Sequence, residues 1–475
     1  MTLLIKGALV VDHCGVAPVD IAVENGTIIG TFFDIDPSEG DTIFDARGLI
    51  CMPGLIDIHT HLSLEVGKYT SADDFDTGTA AAIAGGTTTI VDYISPAKGE
   101  SLSAAIDRWF EKAQDSRIDY SFHLCLTDDS ESTMAGIEHA VGRGIRGFKV
   151  FMAYPDRYMM TPLQIMNVMK KVKECGGVLF VHTEDGNEIE SLRAKSSEQN
   201  QLSMAEHART RPAYQELNAA KVLYELVRET FCPTVIVHIS AAEVLEVLRD
   251  ASLKGIPLFG ETCPQYLWLN DTMLDRPWPE SAPFVCSPPL RNIEHLDALW
   301  DGLITGDIDV VSTDHCPFNM EDRMENGEDF RMVPNGLAGI ENRFMLLQNG
   351  AITAGRFGWT RLVRLLSTNA AILSGLYPRK GTIRPGSDAD LIFFDPASVT
   401  SFNSEDLFSG CDHNPYDGMQ ISGSVAVVLS RGEVVYDNGI LTAEKGRGQF
   451  IPRSRVKPDR LWAVKMEDFP WAFCQ

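Results

Sequence analysis

The sequence predicts an α/β protein, a (β/α)8 TIM barrel with a small β-sandwich domain built from both termini. Between residues 54 and 376, short β-rich runs alternate with stretches whose apolar residues recur every three or four positions, the pattern of strand–helix units in a parallel sheet. At both ends of the chain, strands alternate with Gly, Asn and Asp turns almost without helices. The amino-acid composition of the 475 residues agrees with a globular fold, because 44% hydrophobic and 23% charged residues are typical of globular proteins.

Eight runs are the predicted barrel strands, since eight strand–helix alternations indicate a closed barrel. They are LIDIHT (55–60), TTTIVDY (87–93), DYSFHLCL (119–126), GIRGFKVFM (144–152), GGVLFVHT (176–183), PTVIVHIS (233–240), IPLFGETC (256–263) and IDVVSTDH (308–315). Two connections, 184–232 and 264–291, are much longer than usual. Loops of that length commonly serve as lids or interfaces.

The terminal segments predict a second domain beside the barrel. Residues 1–52 and 377–440 are each too short for a good core, so we expect them to form one β-sandwich domain next to a metal-dependent barrel at 53–376. Residues 441–475 are expected to be a C-terminal arm that packs on another subunit, because its aromatic side chains expose apolar area. These side chains are Phe450, Trp462, Phe469, Trp471 and Phe473.

Charge and cysteine usage exclude several classes of partner. The 41 Lys and Arg residues against 66 Asp and Glu residues give a net charge of −25, which repels nucleic-acid phosphates and anionic lipid. No run reaches the roughly 18 apolar residues of a membrane span. The ten cysteines occur singly without a CxxC motif, which favours a reducing, cytoplasmic setting. We therefore expect a small-molecule partner, and neither nucleic acid nor a membrane.

Histidines and a carboxylate recur where the predicted barrel strands end, the edge at which such barrels carry their chemistry. Strand 1 ends in His59-Thr60-His61, and two imidazoles spaced by two residues point to the same side of a strand. This triplet alone is a weak indication of a metal site. The corresponding residues at the ends of strands 5, 6 and 8 are His182, His238 and Asp314. Four imidazoles and a carboxylate at one rim favour a metal centre over separate structural residues.

Lys149 lies in GFKVFM, near the carboxyl end of predicted strand 4. One interpretation is a side chain that reaches water at the barrel mouth. The other is a lysine that loses its proton beside cations and adds CO2, which gives a carbamate able to bridge two metal ions. Four histidines, one aspartate and this carbamate suit a pair of divalent ions, zinc first.

Eight motifs run through nearly the whole chain in an order that resembles one known family. They are DIHTH (57–61), FKVFMAY (148–154), VHTED (181–185), VHIS (237–240), GETCPQYL (260–267), SPPLR (287–291), STDHCPF (312–318) and PNGLAGIENR (334–343). Together they resemble the dihydropyrimidinase and D-hydantoinase family of the amidohydrolase superfamily. The family's fold is the barrel with a β-sandwich from both termini that the chain pattern predicts.

The resemblance implies a role for each matching residue. The more buried metal is held by His59, His61 and Asp314. The more exposed metal is held by His182 and His238, and carboxylated Lys149 bridges the two ions together with a hydroxide. Tyr154 stabilises the oxyanion, while Ser287 and Asn335 bind the ring imide mainly through backbone groups.

The implied reaction is hydrolysis of a cyclic amide. The hydroxide attacks the ring carbonyl of a 5,6-dihydropyrimidine or a 5-substituted hydantoin, and Tyr154 and a metal stabilise the oxyanion. Asp314 carries the proton to the leaving nitrogen, which gives an N-carbamoyl amino acid. Members of this family are commonly tetramers, so the resemblance also implies a homo-oligomer.

Three alternatives to this function remain open. Among enzymes, an allantoinase-type ureide hydrolase is the second choice. A dihydroorotase is the third choice, because Ser63 stands where dihydroorotases place an arginine that holds a substrate carboxylate. The remaining alternative is a non-catalytic scaffold protein related to dihydropyrimidinases. Such scaffolds have lost metal ligands, whereas all six positions are present here.

Two loops, 62–69 and 155–157, differ in sequence from the typical members of this family. In the family these loops shape the pocket for the substituent on the substrate ring. Strand alternation turns Leu64 and Glu65 to opposite sides. If Leu64 faces the pocket with Phe151 and Tyr154, the substituent meets an apolar wall. If Glu65 faces it, a polar or cationic substituent is preferred. We favour the apolar wall, because charged side chains are rarely buried unpaired.

Overall fold

The computed structural model describes residues 2–155 and 157–457. Its centre is a parallel sheet of eight strands, each paired with its sequence neighbours. The strands are Leu55–Thr60, Thr87–Ile94, Asp119–Cys125, Gly147–Phe151, Val178–His182, Thr234–Ile236, Leu258–Thr262 and Val310–Val311. A parallel bridge between Thr60 and His315 joins the two ends of this sheet. The barrel is therefore closed, and all eight predicted strands are confirmed.

Helices follow the barrel strands and cover the outside of the sheet. The long ones are Thr77–Ala84, Leu102–Lys112, Glu131–Gly142, Pro162–Glu174, Ala213–Thr230, Val244–Leu253 and Ile293–Thr305. Helix Leu102–Lys112 shows why they form, because Ser101 caps its first turn and its buried residues Ala105, Ile106 and Trp109 share one face. Helix Pro162–Glu174 begins with a capping box between Thr161 and Gln164.

Further helices, including the 13-residue helix Gly186–Glu198, lie in the connections and after the last strand. The α-helical ones are Gly186–Glu198, Ala205–Arg209, Gln265–Trp268, Met320–Met324, Arg343–Gln348, Trp359–Val363 and Asn369–Ser374. The 3-10 and π turns are Ala113–Asp115, Asp271–Asp275, Ala282–Phe284, Asn349–Thr353, Arg364–Thr368 and Ser404–Asp406. The two long connections recognised in the sequence thus contain helices of their own.

Both termini contribute to a separate pair of sheets. The seven-stranded sheet consists of Leu9–Asp12, Gly15–Pro18, Ile50–Pro53, Leu391–Ser401, Gln420–Ser430, Glu433–Asp437 and Ile440–Leu441. The four-stranded sheet consists of Leu3–Lys6, Asp20–Glu24, Thr27–Phe32 and Thr42–Asp45. Strand Ile50–Pro53 pairs antiparallel with Leu391–Ser401, which ties the two termini together.

The predicted β-sandwich from both termini is confirmed by the packing of these sheets. Ile5 and Ile21 of the smaller sheet share a buried apolar cluster with Val10, Leu391 and Phe393 of the larger one. The exact bounds of the domains, 1–52 with 377–440 and 53–376, stay a prediction. No helix in the described ranges is long and apolar enough to cross a membrane.

The described part of the tail packs on its own chain. The backbone N–H of Tyr120 donates to the carbonyl of Gln449 at 2.9 Å, and the N–H of Ile451 donates back to Tyr120 at 2.8 Å. The Phe450 ring lies 4.7 Å from that of Phe110. The expectation that Phe450 packs on a neighbouring subunit is therefore wrong, since this chain's own helix covers it. The other tail aromatics, Trp462, Phe469, Trp471 and Phe473, lie outside the described residues.

Candidate metal centre

Three candidate ligands converge at the carboxyl ends of barrel strands 1 and 8. The Nε2 atoms of His59 and His61 each lie 3.1 Å from the same Oδ1 of Asp314. His59 is wholly buried, and apart from this ion-pair contact its Nε2 has no hydrogen-bond partner among the described residues. Two imidazole nitrogens and a carboxylate oxygen are typical ligands of zinc. This group therefore fits a divalent cation, to which both imidazole nitrogens and the carboxylate could bind.

Two further histidines face each other at the ends of strands 5 and 6. Nδ1 of His182 lies 3.0 Å from Nε2 of His238, and both rings are buried. Two nitrogen ligands of one tetrahedral zinc ion are separated by about 3.3 Å when each Zn–N bond is close to 2.0 Å. The opposite nitrogen of His182 is occupied, because Nε2 lies 2.7 Å from Oε2 of Glu184. The pair thus presents two nitrogens at a spacing suited to one ion.

Lys149 lies at the end of strand 4 between two aromatic rings. Its Nζ is 5.0 Å from the ring centre of Tyr93 and 5.3 Å from that of Phe151. Burial lowers the pKa of the Lys149 amine to about 8, although the carboxylates of Asp314 and Glu261 oppose this shift. About a tenth of the amine is therefore neutral at pH 7, and the neutral amine is the form that can react with CO2.

Three of the predicted site residues have left-handed backbone conformations. The φ angle is +43° at His238, +53° at Asp314 and +66° at Tyr154. Such angles are uncommon for residues other than glycine and persist only where the surroundings impose them. All three residues follow the end of a barrel strand, so the backbone turns their side chains out of the strand alternation.

All predicted site residues line one cavity of about 570 Å³ at the barrel mouth. They are His59, His61, Leu64, Lys149, Phe151, Tyr154, His182, His238, Ser287, Asp314 and Asn335. Nδ2 of Asn335 donates to Oγ of Ser287 at 2.9 Å, so these two side chains are in contact. The structure thus brings together residues from most of the eight strand ends.

The hairpin of strands Glu65–Val66 and Tyr69–Thr70 forms one wall of this cavity. Leu64 and Val66 line the cavity, whereas Glu65 does not. The Glu65 carboxylate instead lies 3.3 Å from Nζ of Lys112, outside the cavity. At residues 64–66 the side of the loop that faces the cavity is therefore apolar, whereas Lys68 adds a cation further along the loop.

The sequence of the whole barrel matches a known family. Residues 50–435 match the model described as the amidohydrolase family. The chain belongs to this family. It is 38% identical to a D-hydantoinase from Streptomyces coelicolor, covering 95% of this chain and 98% of that protein. It is 36% identical to a D-hydantoinase from Geobacillus stearothermophilus, covering 96% of this chain and 97% of that one.

Solved structures of amidohydrolases agree with the sequence relatives. The dihydropyrimidinase from Brevibacillus agri NCHU1002 superimposes with a TM-score of 0.94 at 36% identity, over 96% of this chain and all of that one. The L-hydantoinase from Arthrobacter aurescens gives a TM-score of 0.87 at 27% identity, over 95% and 99%. The resemblance to the hydantoinase and dihydropyrimidinase branch is therefore confirmed. Membership of this branch of the amidohydrolases implies divalent metal ions.

Two carboxylates behind the histidines were not assigned from the sequence. Oε1 of Glu261 lies 2.6 Å from Nδ1 of His59, and Glu184 holds His182 as described above. A carboxylate on the outer nitrogen of a ligating histidine fixes its tautomer and orientation. Burial lowers the pKa of His59, but the charges of Asp314 and Glu261 outweigh it and raise that pKa to about 9. Both glutamates lie inside the quoted motifs, yet spacing alone does not show which histidine each one contacts.

Arg211 is a third residue that the sequence did not indicate. Its Nη1 donates to Oε2 of Glu184 at 2.6 Å, and its guanidinium lies 5.5 Å from the ring centre of Tyr154. Burial alone would raise the pKa of Glu184, but the charge of Arg211 and the hydrogen bond with His182 hold that pKa well below its usual range. One buried carboxylate therefore links a candidate metal ligand to the surroundings of Tyr154.

Proposed function

We propose that this amidohydrolase is a binuclear-metal enzyme that opens the ring of 5-substituted hydantoins or 5,6-dihydropyrimidines and produces N-carbamoyl amino acids. The observation that carries this proposal is the convergence of six candidate ligands from five strand ends on one cavity. The D-hydantoinases and the dihydropyrimidinase to which the chain is similar support the choice of ring.

In this proposal two divalent ions, zinc first, share the six ligands. His59, His61 and Asp314 would hold one ion, His182 and His238 would hold the other, and carboxylated Lys149 would be shared by both. The carbamate forms when the neutral amine adds to CO2: the N–C bond forms as one C–O π bond opens onto oxygen, and the proton lost by the nitrogen passes to water. When bound, the ions activate water as a nucleophile near neutral pH and polarise the ring carbonyl.

The chain's own residues then move protons and hold charge. Asp314 accepts a proton from the attacking water and passes it to the ring nitrogen as the C–N bond breaks. The Tyr154 phenol donates a hydrogen bond to the oxygen that becomes negative. Burial raises the pKa of Tyr154 despite the opposing charge of Arg211, so the phenol keeps its proton at neutral pH. Backbone groups near Ser287 and Asn335 hold the ring imide.

Substrate scope tests this function directly. We expect kcat/KM for 5-phenylhydantoin to exceed that for dihydrouracil by about tenfold or more, since burial of an aromatic group is worth about 1.5–3 kcal/mol. The wall that contacts the ring contains Leu64, Val66 and Phe151. Product formation is followed by chromatography of the N-carbamoyl amino acid, before and after metal removal with a chelator.

Two variants and two further substrates complete this experiment. Leu64→Ala is expected to lower the ratio of kcat/KM for 5-phenylhydantoin to kcat/KM for dihydrouracil. Leu163→Ala, at a helix position that is 62% exposed, should leave this ratio unchanged. Faster turnover of allantoin or dihydroorotate would assign a different ring. No ring opening by the metal-loaded protein on any of these compounds would favour the scaffold alternative.

We also propose that the protein is a homo-oligomer, a tetramer, in the cytoplasm. Eight cysteines in the described ranges, those from Cys51 to Cys411, are free thiols, which suits a reducing compartment. Symmetric closed assemblies are the rule for soluble oligomers.

A chain that ends after Lys457 tests the role of the distal tail in assembly. We expect light scattering to show a smaller species than the full chain, because the four distal aromatic residues are removed. Residues 442–457 remain, so packing of Phe450 on the barrel and the melting temperature should be retained. Equal masses for the two proteins, or a monomeric full-length chain, would contradict the assignment of the tail to an interface.

A further inference from the structure

The lining of the catalytic cavity contains more Lys and Arg side chains than carboxylates, although the chain as a whole is acidic. The described lining includes six Lys and Arg side chains but only one carboxylate, that of Asp314. The chain as a whole carries a net charge of −25. Random placement of charges would favour acidic residues, so this local excess of cations calls for a binding role. The cations are Lys68, Lys149, Arg157, Arg193, Arg211 and Arg331.

Four of these cations are paired with carboxylates outside the cavity lining. Lys68 pairs with Glu325 at 2.5 Å, Arg193 with Glu190 at 2.8 Å, Arg211 with Glu184 at 2.6 Å and Arg331 with Asp329 at 2.5 Å. Lys149 is the proposed carbamate. Arg157 differs, because within the described residues it has no ion pair with a carboxylate, and its side chain is exposed. No carboxylate of the described residues therefore neutralises its charge.

An aromatic wall connects Arg157 to the candidate metal ligands. The Arg157 guanidinium lies 4.8 Å from the ring centre of Tyr158. Tyr158 stacks on Phe151 at 5.0 Å with an interplanar angle of 28°, and Phe151 lies 5.6 Å from the ring of His182. A substituent that followed this wall away from the candidate metal ligands would approach the guanidinium.

The cavity does not end at Arg157. A second cavity of about 1160 Å³ lies beside it, lined by the loops after barrel strands 2 and 3. The two cavities share Gly67, Ser95, Arg157 and Tyr158. Arg157 therefore stands at the junction, where a long substituent has room and its end stays in contact with water.

We propose that the preferred substrate carries a carboxylate at the far end of its ring substituent, and that Arg157 is the specificity-determining residue that pairs with it. This inference rests on the proposed ring-opening function. A guanidinium holds a carboxylate through two parallel hydrogen bonds, and such charge-assisted bonds are stronger than neutral ones. The reaction itself is unchanged, since water adds across the ring C–N bond and the distal carboxylate takes no part.

Two matched substrate pairs test this proposal without any mutation. One pair is 5-(4-carboxyphenyl)hydantoin and its amide, 5-(4-carbamoylphenyl)hydantoin, and the other is 5-(2-carboxyethyl)hydantoin and its amide. Within a pair, size is constant and only charge differs. We expect the acid to exceed the amide in kcat/KM by about 10- to 100-fold in at least one pair, mostly through KM. The ratio should fall as ionic strength rises, because the site is in contact with water.

Variants of Arg157 assign the effect to one residue. Arg157→Gln is expected to abolish the preference for the acid, and Arg157→Lys to keep part of it. Turnover of 5-phenylhydantoin by each variant is measured in parallel, and the acid-to-amide ratio is compared within each variant, so that a general loss of activity does not count as a loss of preference. Arg228→Gln removes the same charge from an exposed helix position and is the matched control.

The outcomes separate this inference from the function on which it rests. Acid-to-amide ratios near one in both pairs, or a preference that survives Arg157→Gln, overturn the role of Arg157 while hydrolysis of 5-phenylhydantoin upholds the proposed function. No hydrolysis of any hydantoin by the metal-loaded wild type overturns the proposed function instead. If Arg157→Gln does not fold, the wild-type ratios and their salt dependence decide the question.

Discussion

Lys149→Ala is expected to abolish ring opening and to remove metal from the protein at the same time. In the proposed site the lysine is the single residue shared by both ions. Its loss therefore weakens the binding of both ions. The expected loss in kcat is at least about a thousandfold, because the ions provide both the activated water and the polarised carbonyl. Elemental mass spectrometry of the purified variant and turnover of 5-phenylhydantoin are measured on the same preparation.

Two controls keep the lysine result specific. Lys254→Ala removes an exposed lysine paired with Asp250 and should retain two metals per chain and the wild-type rate. Formate or acetate added to Lys149→Ala is expected to restore part of the activity, because a small carboxylate can occupy the place of the carbamate. If the variant binds two metals and turns over normally, the assignment of a bridging carbamate is wrong. Circular dichroism shows whether the variant keeps its fold.

The fold was largely predictable because its signals are local. Strand–helix alternation and capping patterns lie within windows of ten to twenty residues, and all eight barrel strands appear where the sequence predicted them. The largest errors in strand length occur at two functional ends. Strand 6 was predicted at 233–240 but spans Thr234–Ile236, and strand 8 was predicted at 308–315 but spans Val310–Val311. In both places a left-handed residue, His238 or Asp314, follows the shortened strand and interrupts regular pairing.

The contacts behind the candidate ligands could not be read from the sequence, because they are long-range. Glu261 contacts His59 across 202 residues, and Arg211 reaches Glu184 from a separate helical connection. The packing of the C-terminal tail was likewise not predictable from the sequence. Its aromatic residues indicated an exposed apolar surface, but only the fold reveals that Phe110 already covers Phe450. Sequence patterns thus located the strand ends, whereas pairing between distant segments needed coordinates.

Tyr154→Phe is expected to lower kcat by about 100- to 1000-fold while the metal content stays unchanged. The hydroxyl is the only group removed, and it contributes no proposed metal ligand. The ring is held by its neighbours, since it lies 5.2 Å from the His182 ring and 5.5 Å from the Arg211 guanidinium. The fold and ring position should therefore survive, and the lost hydrogen bond to the oxyanion should appear in kcat rather than in KM.

A matched tyrosine on the surface shows what loss of a hydroxyl costs elsewhere. Tyr214→Phe removes a phenol that donates to Glu188 at 2.6 Å on an exposed helix, and we expect its kcat to equal that of the wild type. A Tyr154→Phe effect confined to KM would make Tyr154 a substrate-binding residue. A loss of metal from Tyr154→Phe would indicate that Tyr154 instead holds the metal ligand His182 in position. We predict a large fall in kcat with both metals retained. This result would distinguish stabilisation of the oxyanion from substrate binding and from support of a metal ligand, because only a hydrogen bond that strengthens in the transition state acts on kcat alone.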